Sequence, residues 1–340
     1  MESSPPATVT VSPKESTEME PSGLTRAAGL WLEDCGLIIR AENTVFRVSR
    51  EVLAAHSPIF QDMLRLPPPT DIDTMYGCPL VVLPDNAKDV EYFLRALFDY
   101  ESFCPVPART TFPILSGVLR MSHKYEVNGL RRRALGHLSS AYSTMPIDAW
   151  GRRIDPSTDT SSSASWAPIA SDIPILTLAR QVSADWIIPG AVFKLSQVLA
   201  LEEIIGGVDY QGAKIRLGEQ DQLALLRMSS FIRGEGVSLV LACLWWPSEI
   251  EGCIGSKCRD SRLSARRSAE AWRKEFRITA ANIWLDDDWI RLKNVCNVCK
   301  KAMIARWLDA FWEVRARLPA LCGLPSWEKL ELARKSALGP

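Results

Sequence analysis

The sequence predicts an α+β fold: a small β-sheet covered by a helical cluster, followed by a mainly α-helical C-terminal domain. Three observations predict it. Short β-rich runs fall early in the chain, as LIIR (Leu37–Arg40), TVFRV (Thr44–Val48) and PLVVLP (Pro79–Pro84). Apolar residues between and after these runs recur at helical spacing. A polar stretch of small residues, DPSTDTSSSASWAPIASD (Asp155–Asp172), then separates this half from one that reads mostly as helix. The expected organisation is a disordered arm at 1–23, an α+β domain at 24–150, a flexible linker at 151–172 and a helical domain at 173–335.

The arm is rich in Ser, Thr, Pro and Glu and poor in aromatics, so it cannot bury enough surface to fold. The first two β runs are split by AEN and read as a hairpin. Ser49 is placed to cap a short helix through Ala55. Ser57 and Pro58 give a second start, with Ser as cap and Pro at the first helical position. Ile59, Phe60, Met63 and Leu64 then share one face. His56 and Ser57 sit at the break between the two helices. A catalytic role would need an orienting partner and an oxyanion site, and only three histidines (His56, His123, His137) exist in the chain. Capping by Ser57, with His56 bonded or packed nearby, is the expected role. After the third strand, Asp85 or Asn86 caps a helix carrying Val90, Phe93, Leu94, Leu97 and Phe98. Further helices are expected at about Thr111–Tyr125 and Leu130–Tyr142, separated by EVNGL.

These motifs, in this order, carry a resemblance. The runs DCGLII, FRVSREVLAAHSPIFQDML, LVVLPD, DVEYFLRALFDY and VLRMSHKYEVNGLRRRALGHL resemble a BTB/POZ domain from about Leu30 to Pro146. WLEDCGLIIRAEN and GCPLVVLPD resemble in particular the expanded BTB family of mushroom-forming fungi. The resemblance implies protein–protein association and a homodimer built on the N-terminal strand and first helices. It also implies a charged groove at the dimer face, to which Asp34 and Arg50 correspond. Many members have His before that basic residue, where this chain has Ser49. Some members recruit a cullin scaffold, often through an apolar-x-Glu motif between the second helix and third strand. No glutamate occurs from Met63 to Leu80.

In the second half, apolar stripes at Leu223–Ile232 and at Ile304, Trp307, Leu308, Phe311 and Trp312 read as core faces. Ser326 is placed to cap a last helix from Trp327. Cys253 and Cys258 form a C-x₄-C pair, and Cys296 and Cys299 form C-x₂-C in CNVCKK. Thiolates at these spacings chelate one metal, because each short turn points both sulfurs inward. Nearby Lys and Arg favour the thiolate. A structural zinc site is one expectation, and buried free cysteines are the other. A redox C-x-x-C lacks a surrounding βαβ pattern. The basic stretch KCRDSRLSARRSAEAWRK (Lys257–Lys274) lies near Glu270, Glu275 and Asp286–Asp288 and reads as a mixed solvated surface.

Composition narrows the function. Lys plus Arg and Asp plus Glu both number 40, so no global field draws the chain to nucleic acid. The strongest apolar run, LVLACLWW (Leu239–Trp246), is far short of a membrane span. No basic segment followed by an apolar one marks a secretory signal, and nine cysteines fit a reducing compartment, so the expected location is cytoplasmic or nuclear. No phosphate loop, H-E-x-x-H or opposed acid/base pair is present. The expectation is a non-enzymatic adaptor or scaffold that dimerises and binds partner proteins through its helical half. A substrate receptor of a cullin-type ubiquitin ligase and a transcriptional regulator are the alternatives.

Overall fold

In a computed structural model of the chain, which describes residues 23–65, 74–141, 172–210, 213–245, 247–272 and 278–339, the β-rich runs pair as one mixed sheet. Its first strand, β1 (Thr25–Trp31), precedes the expected hairpin. The hairpin itself is β2 (Leu37–Ala41) and β3 (Thr44–Val48), antiparallel with Ala41 opposite Thr44. β1 runs parallel to β3, with a register shift between Arg26 and Trp31 where Gly29 takes φ +75°. A short β4 (Thr74–Met75) pairs with β5 (Cys78–Leu83), and β5 returns parallel to β2. The strand order is β1-β3-β2-β5-β4.

Alternation along the strands gives the sheet two apolar faces. Leu37, Ile39, Ala41, Phe46 and Val48 are buried on one face. On the other, Ile38, Val45 and Cys78 pack with Trp31, Met75 and Tyr76. Trp31 and Tyr76 meet edge to face at 5.2 Å, with the Arg26 guanidinium 4.5 Å and 4.7 Å from their ring centres. Such contacts add a little beyond burial.

The helices α1 (Arg50–His56) and α2 (Pro58–Arg65) begin where capping residues demand. Ser49 Oγ accepts the Val52 amide at 3.2 Å, and the buried Ser57 Oγ accepts the Phe60 amide at 3.0 Å. Of the two candidate caps for α3 (Ala87–Phe98), Asn86 takes the role: its Oδ1 accepts the amides of Lys88 and Asp89. Glu42, at φ +51° in the hairpin turn, adds its carboxylate to the Ala87 amide at 3.2 Å.

The chain divides into two compact units, Met1–Glu91 and Tyr92–Pro340, with the division inside α3. The second unit starts with the end of α3 and a helix pair, α4 (Phe112–Lys124) and α5 (Asn128–Ala141), and continues with α6 (Asp172–Gln181), α7 (Ile188–Val198) and α8 (Leu201–Gly206). A small hairpin of β6 (Val208–Tyr210) and β7 (Ala213–Ile215) follows, unexpected from the sequence. Then come α9 (Glu219–Arg233), α10 (Glu235–Leu241), α11 (Cys258–Trp272), the long α12 (Asn297–Leu321) and α13 (Trp327–Leu338). α7 packs on α6 and α9, and α12 on α7, α9 and α10. α13 packs on α5. Trp186 donates to Ser139 Oγ at 3.0 Å, and Arg131 to the Val182 carbonyl at 3.2 Å, so α4 and α5 share a unit with the C-terminal helices.

The expected arm at 1–23 lies outside the described residues except for Gly23. The expected linker at 151–172 lies outside them except for Asp172, which opens α6. The last helix runs to Leu338, past the expected end at 335, and Ser326 stands at its cap position without a side-chain cap bond. The expected stripe on α12 is only partly buried. Trp307 and Phe311 are core, but Leu308 and Trp312 are exposed, and Met303, Ala310 and Val314 complete the buried face. Among the described residues, no helix is long and apolar enough to cross a membrane.

Candidate metal centre

The two cysteine pairs sit on structurally different supports. Cys253 lies in a turn closed by its own amide on the Ile250 carbonyl at 3.1 Å. Cys258 opens α11, its amide on the Gly255 carbonyl at 3.4 Å. Cys296 is the N-cap position of α12, and Cys299 lies in that helix's first turn. α12 thus starts at Asn297, between the two cysteines of the second pair.

The fold brings these supports together. All four sulfurs lie within 4.8 Å of one another. Tetrahedral zinc with Zn–S bonds of about 2.3 Å needs sulfurs about 3.8 Å apart. All nine cysteines are free thiols, so no disulfide competes for these sulfurs. Cys258 and Cys299 are buried, Cys296 is half-buried and Cys253 is exposed. The Cys296 amide donates to Cys258 Sγ at 3.2 Å. Amides of Cys299 and Ile254, in turn, hold the Cys296 thiol down to about 6, which favours its thiolate form. Burial pushes Cys299 up. Four gathered cysteine sulfurs can take a divalent soft or borderline metal and release their protons on binding.

Gly255 makes this approach possible. A Cβ there would lie 2.5 Å from Cys258 Sγ, inside any allowed contact. Gly252, at φ +75°, supplies the left-handed turn just before Cys253.

The aromatic core continues from this end of α12. Trp284 and Trp289 meet edge-on at 5.6 Å, Trp289 and Trp307 at 5.7 Å, and Trp307 and Phe311 at 4.8 Å. Trp307 Nε1 donates to the Trp284 carbonyl at 3.2 Å.

The two expected groove residues both lie at the surface. Asp34 is exposed, and the exposed Arg50 donates to the Leu64 carbonyl at the end of α2. No ion pair joins Asp34 to Arg50 among the described residues. His56 is exposed at the end of α1. The described part of the basic stretch, 257–272, is less solvated than its composition suggests, because Arg262 is buried. Neither sequence spacing nor charge signalled that burial. Comparison of the chain with protein-family models, curated proteins and solved structures finds no match.

Proposed function

We propose that the chain is a non-catalytic protein-interaction adaptor, with a BTB-type self-associating N-terminal part and a partner-binding helical part organised by a structural zinc. The observation that carries the adaptor reading is the arrangement of the first elements. A β2–β3 hairpin leads into the α1–α2 helix pair, and β5 then returns parallel beside β2 before α3. That order, with the α4–α5 pair next in the chain, supports the BTB resemblance of the motifs between Leu30 and Pro146. On this reading Asp34 and Arg50 line the dimer face.

The zinc reading is supported by the four gathered sulfurs of Cys253, Cys258, Cys296 and Cys299 and by the amides aimed at two of them. The metal would tie the start of α11 to the start of α12. Its role is structural, since four cysteine ligands leave no open position for chemistry.

Affinity capture of the tagged full-length chain from lysate of its source, read by mass spectrometry, tests the adaptor reading. An adaptor recovers untagged copies of itself together with at least one other protein in comparable amount. Recovery of the tagged chain alone argues against it. A cullin among the partners selects the ligase-receptor alternative, and chromatin proteins select the transcriptional one.

A further inference from the structure

Arg259, Arg262 and Arg266 stand at i, i+3 and i+7 on α11, which puts them along one helix face. All three line a cavity of about 240 Å³ together with Leu244, Trp245 and Ser248. Arg262 is its most deeply buried polar wall, at 3% exposure. Its Nη2 donates to the Pro247 carbonyl at 2.6 Å and its Nη1 to the Ser248 carbonyl at 3.4 Å. Its Nε is buried with no hydrogen-bond partner, and no carboxylate pairs with this guanidinium among the described residues. Arg266 stacks on the Trp245 ring at 4.0 Å and holds Glu270 at 2.9 Å, and Arg259 is exposed.

A buried cation held only by neutral carbonyls is costly to keep, and an anion beside it repays that cost. Guanidinium forks match the tetrahedral oxygens of a phosphoryl group. The cavity is smaller than the roughly 300–1,000 Å³ that encloses a whole small-molecule ligand. It suits one phosphoryl group and the side chain that carries it. A nucleic-acid backbone would need a continuous basic track. Here the chain is neutral overall, and exposed Asp260 and Glu270 interrupt the positive charge along α11.

We propose that this cavity binds a phosphorylated serine or threonine side chain of a partner protein. The source of the phosphate rests on the adaptor reading; the anion chemistry rests on the arginines. Cys258 immediately precedes Arg259, so metal binding at the cysteines also fixes the first turn of the arginine face.

The test uses the full-length, zinc-loaded chain. It is passed over immobilised degenerate phosphoserine and phosphothreonine peptides and over the same peptides after phosphatase treatment. Retention on the phosphorylated set is expected to exceed the control by about tenfold or more, and to be competed by inorganic phosphate. Arg259→Ala and Arg266→Ala, at positions that are not fully buried, are expected to abolish that difference with an unchanged melting temperature. Equal retention on both sets overturns the proposal. So does preferential binding of a single-stranded RNA probe, binding of inorganic phosphate without phosphopeptide preference, or full phosphopeptide binding by both variants. If partner capture from lysate persists while phosphopeptide retention is absent, the adaptor reading stands and this site fails.

Discussion

The amide of Cys296 donates to the sulfur of Cys258 at 3.2 Å, joining two positions 38 residues apart in the chain. The backbone at the start of α12 thus aligns a ligand at the start of α11. If zinc completes this set, Cys258→Ser and Cys299→Ser should each drop bound zinc below about a tenth of an equivalent, because a structural site needs all its ligands. A strong chelator should lower the melting temperature by about 10 °C, equivalent to a loss of about 3–4 kcal/mol at about 2–4 °C per kcal/mol in domains of 150–250 residues. Elemental analysis and thermal unfolding check both. Full-length protein purified without metal and unaffected by chelator would remove the zinc reading.

Gly255→Ala places a methyl carbon where the Cys258 sulfur already lies at 2.5 Å. One of the two must move. Zinc affinity, measured by competition with a chromophoric chelator, should fall by about 10–100-fold, as when a metal site loses its supporting shell. Gly252→Ala strains a turn at φ +75° and should weaken the site less, because its added carbon meets only Val298 at 3.8 Å.

Asp172 is buried at the start of α6, and burial pushes its carboxyl up to about 6. A carboxyl whose folded pKa lies above its unfolded value binds a proton more readily when folded. The cost of its charge is therefore absent below about pH 4, grows between pH 4 and 6, and is complete above pH 6. At about 1.4 kcal/mol per pKa unit, that cost approaches about 3 kcal/mol at pH 7. Asp172→Asn should stabilise the protein at pH 7–8 and have little effect at pH 4. Denaturant melts of both proteins across this range check the sign.

Trp307 sits at the middle of the aromatic chain from Trp289 to Phe311 and donates to Trp284. Trp307→Ala should cost about 3–5 kcal/mol by leaving a cavity in a packed core. Trp307→Phe should cost less but still leave the buried Trp284 carbonyl without this donor. Trp312→Ala, an exposed neighbour at 54%, should change stability by less than about 0.5 kcal/mol, which separates burial from mere aromatic content.

Local chemistry made part of this legible in the sequence. Ser49, Ser57 and Asn86 announce helix starts because a side-chain oxygen near a free amide is a local event. The cysteine quartet is legible as two spacings, since each pair sits in one short turn. β1 was missed because Ala27, Ala28 and Gly29 carry little strand preference, and the strand exists by pairing with β3. The face of α12 was read too far around, towards Leu308 and Trp312, because periodicity cannot tell which of two adjacent apolar rows meets the core. The burial of Arg262 was hidden among like charges, and only the approach of Leu244, Trp245 and Ser248 to α11 reveals it.

On the proposed reading, the chain is an adaptor that self-associates through the part that resembles a BTB/POZ domain. Light scattering of the full-length, zinc-replete chain across the micromolar range tests it most directly. A self-associating adaptor gives a mass twice the 37.9 kDa of one chain. A single-chain mass throughout that range would contradict it.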